Sequence, residues 1–236
     1  MKIAFVGKGG SGTTTLTALF AAHLAELGRT HLVIDADINQ HLAVALGADQ
    51  GTADALPTLG SRLDLVKDYR RGDNPRIRSA AEMTKTTPAG SGSRLLRVAG
   101  DDPIASACVR QVGGVRLAVT GPFGDGDLGV ACYHSKVGAV ELVLNHLVDL
   151  EKEYVVVDMT AGADAFASGL FTRFDLTFLV CEPTVRSVGV HRQYTGYAAD
   201  HDVRIAVVGN KIGTDPQERA ADLEFLRREI SDDLVT

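Results

Sequence analysis

The apolar run Ile3 to Val6 passes directly into Gly7-Lys8-Gly9-Gly10-Ser11-Gly12-Thr13-Thr14-Thr15, and this passage constrains the fold more than any other stretch. It predicts a strand, a phosphate-cradling loop and a helix in immediate succession. Glycines let consecutive backbone N–H groups turn inward around an anion, and the helix N-terminus behind them adds positive potential. The pattern G-x-x-x-x-G-K-[ST] is met at Gly7, Gly12 and Thr14, but Thr13 stands where the phosphate-binding lysine belongs. The same nine residues therefore predict nucleotide binding and argue against fast hydrolysis.

Short β-rich runs alternate with helical patterns along the rest of the chain, the signature of a parallel sheet built from βαβ units. Strands are predicted near 2–6, 31–35, 116–119, 154–158, 175–181 and 203–209, and helices near 14–27, 135–150, 186–200 and 216–230. Val155-Val156-Val157-Asp158 and Ile205-Ala206-Val207-Val208 are continuous apolar runs, as expected of strands covered on both faces. The predicted fold is α/β: three layers, with an open, mostly parallel sheet between helices on both faces. Residues 1–236 are expected to form one domain. The stretch 50–114, with Arg70-Arg71-Gly72-Asp73-Asn74-Pro75 and Pro88-Ala89-Gly90-Ser91-Gly92-Ser93, is read as an irregular, mobile elaboration on it. No closing strand is predicted after the last helix, and the C-terminal end is read as cut short.

A net charge of −6 gives no general pull towards nucleic acid. No signal peptide is recognisable, and no apolar run approaches the roughly 18 residues of a spanning helix. Three cysteines, Cys108, Cys132 and Cys181, lie far apart, which predicts a reducing cytoplasm over a disulfide framework. Cys108 and Cys181 are expected in the core, and His23 and His146 at solvated or partly packed helix positions.

Four further segments fall where an open α/β sheet places ligands, beyond the carboxyl ends of its strands: Asp35-Ala36-Asp37, Asp158-Met159-Thr160-Ala161-Gly162, Glu182-Pro183-Thr184 and Asn210-Lys211. An acid ending an apolar strand is costly unless it is paired or faces a metal. Such acids around one phosphate loop predict Mg²⁺ and a held water. Asp37 read alone serves equally well as a helix cap. Asn210-Lys211 could open the guanine motif N-K-x-D, but Gly213 occupies the aspartate position, so adenine is favoured.

With its lysine at the second loop position, the Asp-x-Asp, the Asp-x-x-Ala-Gly and the Asn-Lys, the chain resembles the deviant Walker A ATPases of the MinD/ParA group. Within these it is most similar to the CooC-type ATPases that help insert nickel into carbon monoxide dehydrogenase. The resemblance implies ATP or ADP with Mg²⁺, and a homodimer formed on nucleotide. Lys8 would reach the partner's phosphates, Thr14 would place its hydroxyl on Mg²⁺, and Thr15 would lie near the α-phosphate. Asp37 would orient the attacking water, Asp35 would support the metal shell, and Asp158 would hold Mg²⁺ through a water. Gly162 would sense the γ-phosphate, Asn210 would read the adenine edge, Pro183 would line the base pocket, and Lys211 would belong to the nucleotide-binding set. Gly7, Gly9, Gly10, Ser11, Gly12 and Thr13 would complete the cradle.

Cys132-Tyr133-His134 is similar to the segment that carries Cys-x-Cys in CooC-type proteins and binds a transition metal across the dimer axis. One Cys–His pair supplies two ligands. A two-fold axis would make Cys₂His₂, suited to Zn²⁺ or Ni²⁺; the alternative is a buried cysteine beside a histidine near a helix start. The function expected is a nucleotide-switched dimer acting on a metalloprotein client. Its rivals are a ParA/MinD-type protein binding DNA or membrane, and a non-hydrolysing nucleotide sensor. Arg227-Arg228 lie among Glu224, Glu229, Asp232 and Asp233, which does not favour a membrane, and the net acidity does not favour DNA.

Overall fold

A computed structural model of the chain describes residues 1–122, 133–162, 169–230 and 234–235. In chain order the elements are β1 (Lys2–Gly7), α1 (Thr13–Glu26), β2 (Thr30–Ala36), α2 (Leu42–Ala45), α3 (Gln50–Asp54), α4 (Leu63–Arg71), β3 (Leu96–Arg97), α5 (Pro103–Cys108), β4 (Val109–Val112) and β5 (Val115–Val119). They continue with α6 (Tyr133–His146), β6 (Leu147–Val148), β7 (Glu153–Met159), β8 (Leu176–Cys181), α7 (Val185–Ala198), β9 (Ile205–Gly209), α8 (Pro216–Glu229) and β10 (Leu234–Val235). The main sheet runs β10-β9-β8-β1-β7-β2-β5-β4, parallel throughout except at the β4–β5 edge. All six predicted strands are present.

The continuous apolar runs follow from burial on both faces. Successive side chains point to opposite sides of a strand, so Ile3, Phe5, Val33 and Val156 face α1 and α2, while Ala4, Val6, Leu32, Ile34, Val155 and Val157 face the layer containing α6 and α7. Phe5 stacks on Phe178 with ring centroids 5.1 Å apart, and Phe20 of α1 closes the group. Each fully buried aliphatic or aromatic side chain of this kind contributes roughly 1.5–3 kcal/mol. β1 is therefore anchored from both sides, and so is the loop that leaves it.

Several expectations change. The stretch 50–114 carries α3, α4, α5 and β4, and its Leu59, Val66, Met83, Leu96, Val98, Ile104 and Cys108 are buried in the same core cluster as β2 and α6. β4 was not predicted; it joins β5 through Gly113-Gly114, both with positive φ, as a two-residue hairpin turn requires. The predicted helix 135–150 ends at His146, and Leu147–Val148 instead pair in parallel with Leu96–Arg97. A short strand does follow the last helix: Leu234 and Val235 pair with Val207 and Val208. Cys108 and Cys181 are buried as expected, and His23 is exposed. His146 is buried, with Nδ1 against Leu142 O at 2.9 Å, because it ends the α6 face that packs on the sheet.

Candidate nucleotide site

The loop between β1 and α1 is shaped by two glycines that admit no side chain. A Cβ on Gly7 would lie 2.4 Å from Ser11 Oγ and 2.7 Å from Val180 O. Gly12 has φ +96° and caps α1 with no side-chain hydrogen bond; a Cβ there would meet Asn210 Nδ2 at 2.3 Å. The first N–H groups of α1 are thus left without a side-chain cap, the arrangement that receives anions at helix starts. Ser11 is fully buried and its hydroxyl has no partner. Thr13 sets its methyl 3.1 Å from the Cβ position of Gly7 and gives its carbonyl to Thr17 Oγ1 at 2.9 Å. Its short, neutral side chain leaves the cradle without the ammonium a lysine would carry.

The ends of neighbouring strands brace this loop. Gly162, with φ +75°, donates its N–H to Gly7 O at 2.8 Å. Asn210 follows β9; its N–H binds Cys181 O and its Nδ2 binds Ser11 O, each at 2.8 Å. Lys211 Nζ meets Gly10 O, and Lys8 Nζ meets Gly9 O at 2.7 Å. Three successive loop carbonyls are therefore held by side chains; Ser11 N–H turns back onto Lys8 O at 2.8 Å, and the other loop N–H groups are left to a ligand. Pro183 and the N-cap Thr184 follow β8 after Glu182.

The acids divide into distinct uses. Asp35 and Asp158 are register partners on β2 and β7, and both are fully buried. Burial, reinforced by the Asp158 charge, raises Asp35 to about 8 in spite of N–H donation from Leu42 and Asp37. Those two donors, at 3.0 and 3.1 Å, occupy both of its oxygens. Asp35 therefore shapes the turn that presents Asp37 and starts α2. Asp37 accepts from Asn39 N and Asn39 Nδ2, so it closes an Asx turn and does not cap a helix. Burial raises Asp158 to about 7, with the Thr14 and Thr17 hydroxyls pulling down and Asp37 pushing up. Thr17 Oγ1 contacts Asp158 Oδ1 at 3.3 Å, and Oδ2 has no partner. This all-oxygen set suits a hard divalent cation such as Mg²⁺: Asp158 and Thr14 would hold it, and its charge would offset that of phosphate.

Glu182, the third strand-ending acid, pairs with Lys211 at 2.7 Å and Lys8 at 3.3 Å instead of facing a metal. Its signal was the one that marked Asp35 and Asp158, an acid directly after an apolar strand. Thr17 was missed, although it lies one helical turn beyond Thr13 and so shares its face. Cys132 and the side chain of His134 lie outside the described residues. Among the described residues no group of three or more His, Cys, Asp or Glu could hold a metal by itself.

A glycine loop at the sheet's centre, with acids ending the neighbouring strands β7 and β2 and an Asn-Lys clasp after β9, is the arrangement of a P-loop NTPase of the MinD/ParA-like class. The MinD in the MinC:MinD complex of Aquifex aeolicus superposes with a TM-score of 0.58 at 20% identity, over 96% of this chain and 76% of that one. MinD of Pyrococcus horikoshii, solved with Mg-ADP, gives 0.57 at 17% identity, over 95% and 77%. These likenesses establish the fold. No protein-family model matches the chain. The carbon monoxide dehydrogenase accessory protein CooC of Rhodospirillum rubrum is 31% identical over 215 residues, 91% of this chain and 75% of that protein. An uncharacterised ATP-binding protein of Methanocaldococcus jannaschii is 26% identical over 224 residues, 94% and 79%. The chain belongs to the CooC family of MinD/ParA-like P-loop ATPases.

Proposed function

We propose that the chain binds ATP and ADP with Mg²⁺, hydrolyses ATP slowly, dimerises on nucleotide, and acts on a metalloprotein client. The observation that carries nucleotide binding is the loop itself: an uncapped α1 start, a buried Ser11 hydroxyl without partner, and loop carbonyls tied back by Lys8, Lys211 and Asn210. The N–H groups of Gly9, Gly10 and residues 12–15 would bind the phosphates, Thr14 and Asp158 would hold the cation, and Asp37 would orient water. Thr13 removes a charged contact, which weakens phosphate affinity by about 1.5–3 kcal/mol and slows hydrolysis by about 10²–10³-fold. Backbone donors remain, so binding survives.

The metalloprotein role follows the likeness to CooC, and the Cys132–His134 pair of two protomers would supply the shared site for Zn²⁺ or Ni²⁺. One experiment separates the candidates: mass in solution and metal content, each with and without MgATP. A nucleotide-dependent dimer with one metal per dimer is expected. A nucleotide-dependent shift onto DNA or vesicles would favour the positioning role, and bound nucleotide with no change of mass would favour a sensor.

A further inference from the structure

The loop that lacks its own lysine is nonetheless rimmed by two ammonium groups sharing one carboxylate. Lys211 Nζ lies 2.7 Å from Glu182 Oε1, and Lys8 Nζ lies 3.3 Å from Glu182 Oε2. Each lysine also donates to a loop carbonyl, Lys211 to Gly10 and Lys8 to Gly9. The arrangement is imposed. Lys211 has φ +55°, a conformation that a non-glycine residue adopts only where its surroundings demand it. Glu182 is largely buried, and its N–H is fixed on Ser187 Oγ at 3.0 Å. The Lys211 ammonium holds its carboxyl below the usual range against partial burial, and Lys8 adds to the effect.

We propose that Glu182 is an internal counter-ion that holds Lys8 and Lys211 at the loop rim and yields them to the polyphosphate of a bound nucleotide. The inference rests on the nucleotide-site reading above and adds a determinant of affinity and selectivity to it. A carboxylate carries one negative charge, whereas a triphosphate carries three to four, so the longer polyphosphate competes better for the two ammonium groups. With Thr13 neutral, this exchange supplies cationic contact that the loop cannot. Glu182 thereby weakens the binding of every nucleotide and penalises the less charged ones most. Lys8 can leave for a partner's phosphates only after the exchange.

The test is calorimetric titration of the full chain with ATP, ADP and AMP, for the wild type, Glu182→Gln, Glu182→Asp and the double variant Lys8→Met/Lys211→Met. Glu182→Gln should bind ATP about three- to ten-fold more tightly, on the scale of two partly exposed ion pairs. The gain should shrink with added salt, and the preference for ATP over AMP should narrow. A damaged fold does not produce a gain in affinity. Glu182→Asp should stay near wild type, and the double lysine variant should bind more weakly than wild type. Wild-type binding with no gain in Glu182→Gln would overturn the counter-ion role alone, as would undiminished binding by the double variant. A wild type that binds none of the three nucleotides would remove the nucleotide-site reading as well.

Discussion

Asp35 and Asp158 lie opposite each other in register where β2 and β7 end, both fully buried, yet only Asp158 has an oxygen without a partner. Asp35 spends both oxygens on the N–H groups of Asp37 and Leu42. One acid builds the turn around the site and the other is left for the site to use.

That difference predicts opposite signs for two matched substitutions. Asp35→Asn puts an amide donor against a backbone donor and should cost about 1–3 kcal/mol, roughly 2–4 °C in Tm per kcal/mol for a chain of this size. Asp158→Asn removes a buried charge with an unpartnered oxygen, so the nucleotide-free protein should melt no lower than wild type while the Mg²⁺ dependence of nucleotide binding disappears. Thermal unfolding, with titration in and out of Mg²⁺, reads both.

The same pair sets a pH dependence. Both carboxyls are raised above their unfolded values, Asp35 to about 8 and Asp158 to about 7, chiefly by burial. The folded state therefore holds protons that the unfolded chain releases near pH 4. Their contribution is complete below that pH and is lost as pH rises through 7 to 8. Nucleotide-free protein should thus lose stability from this pair between pH 6 and pH 8, and Asp158→Asn should flatten the decline. An equally steep decline in that variant would contradict it.

The Asn210 clasp gives a third prediction. Asn210→Ala removes the 2.8 Å bond to Ser11 O and should cost about 0.5–1.5 kcal/mol, with nucleotide affinity falling by up to about tenfold. Gly12→Ala should be worse, because φ +96° adds about 1–2 kcal/mol of left-handed strain and the new methyl displaces the same amide. Urea unfolding and nucleotide titration of the two variants give the ranking.

The six strands were legible because each is mainly apolar, and the longest runs, such as Val155-Val156-Val157, need no further context when buried on both faces. The site glycines were legible because their spacing is local. β4 was missed because Val109-Arg110-Gln111-Val112 is half polar at a sheet edge, although Gly113-Gly114 marked its turn. Leu234–Val235 is too short to show a period, and its pairing with β9 is purely tertiary. The placement of Asp35, Asp37 and Asp158 near the loop could be read, since acids after strands are conspicuous. Their hydrogen-bond assignments could not, because the donors Leu42 and Asn39 carry no sequence mark of that role. Glu182 shows the limit most clearly: its position was evident, but its partners Lys8 and Lys211 come from chain segments about 170 residues before it and about 30 after it.

Thr13 decides between a held nucleotide and a rapidly turned-over one. ATP affinity and single-site turnover should be measured side by side for the wild type and Thr13→Lys. The wild type should bind MgATP with turnover barely above background, and Thr13→Lys should bind about 10- to 10²-fold more tightly and hydrolyse about 10²–10³-fold faster. Equal turnover in the two proteins, or a wild type that does not bind ATP, would contradict the assignment of this loop.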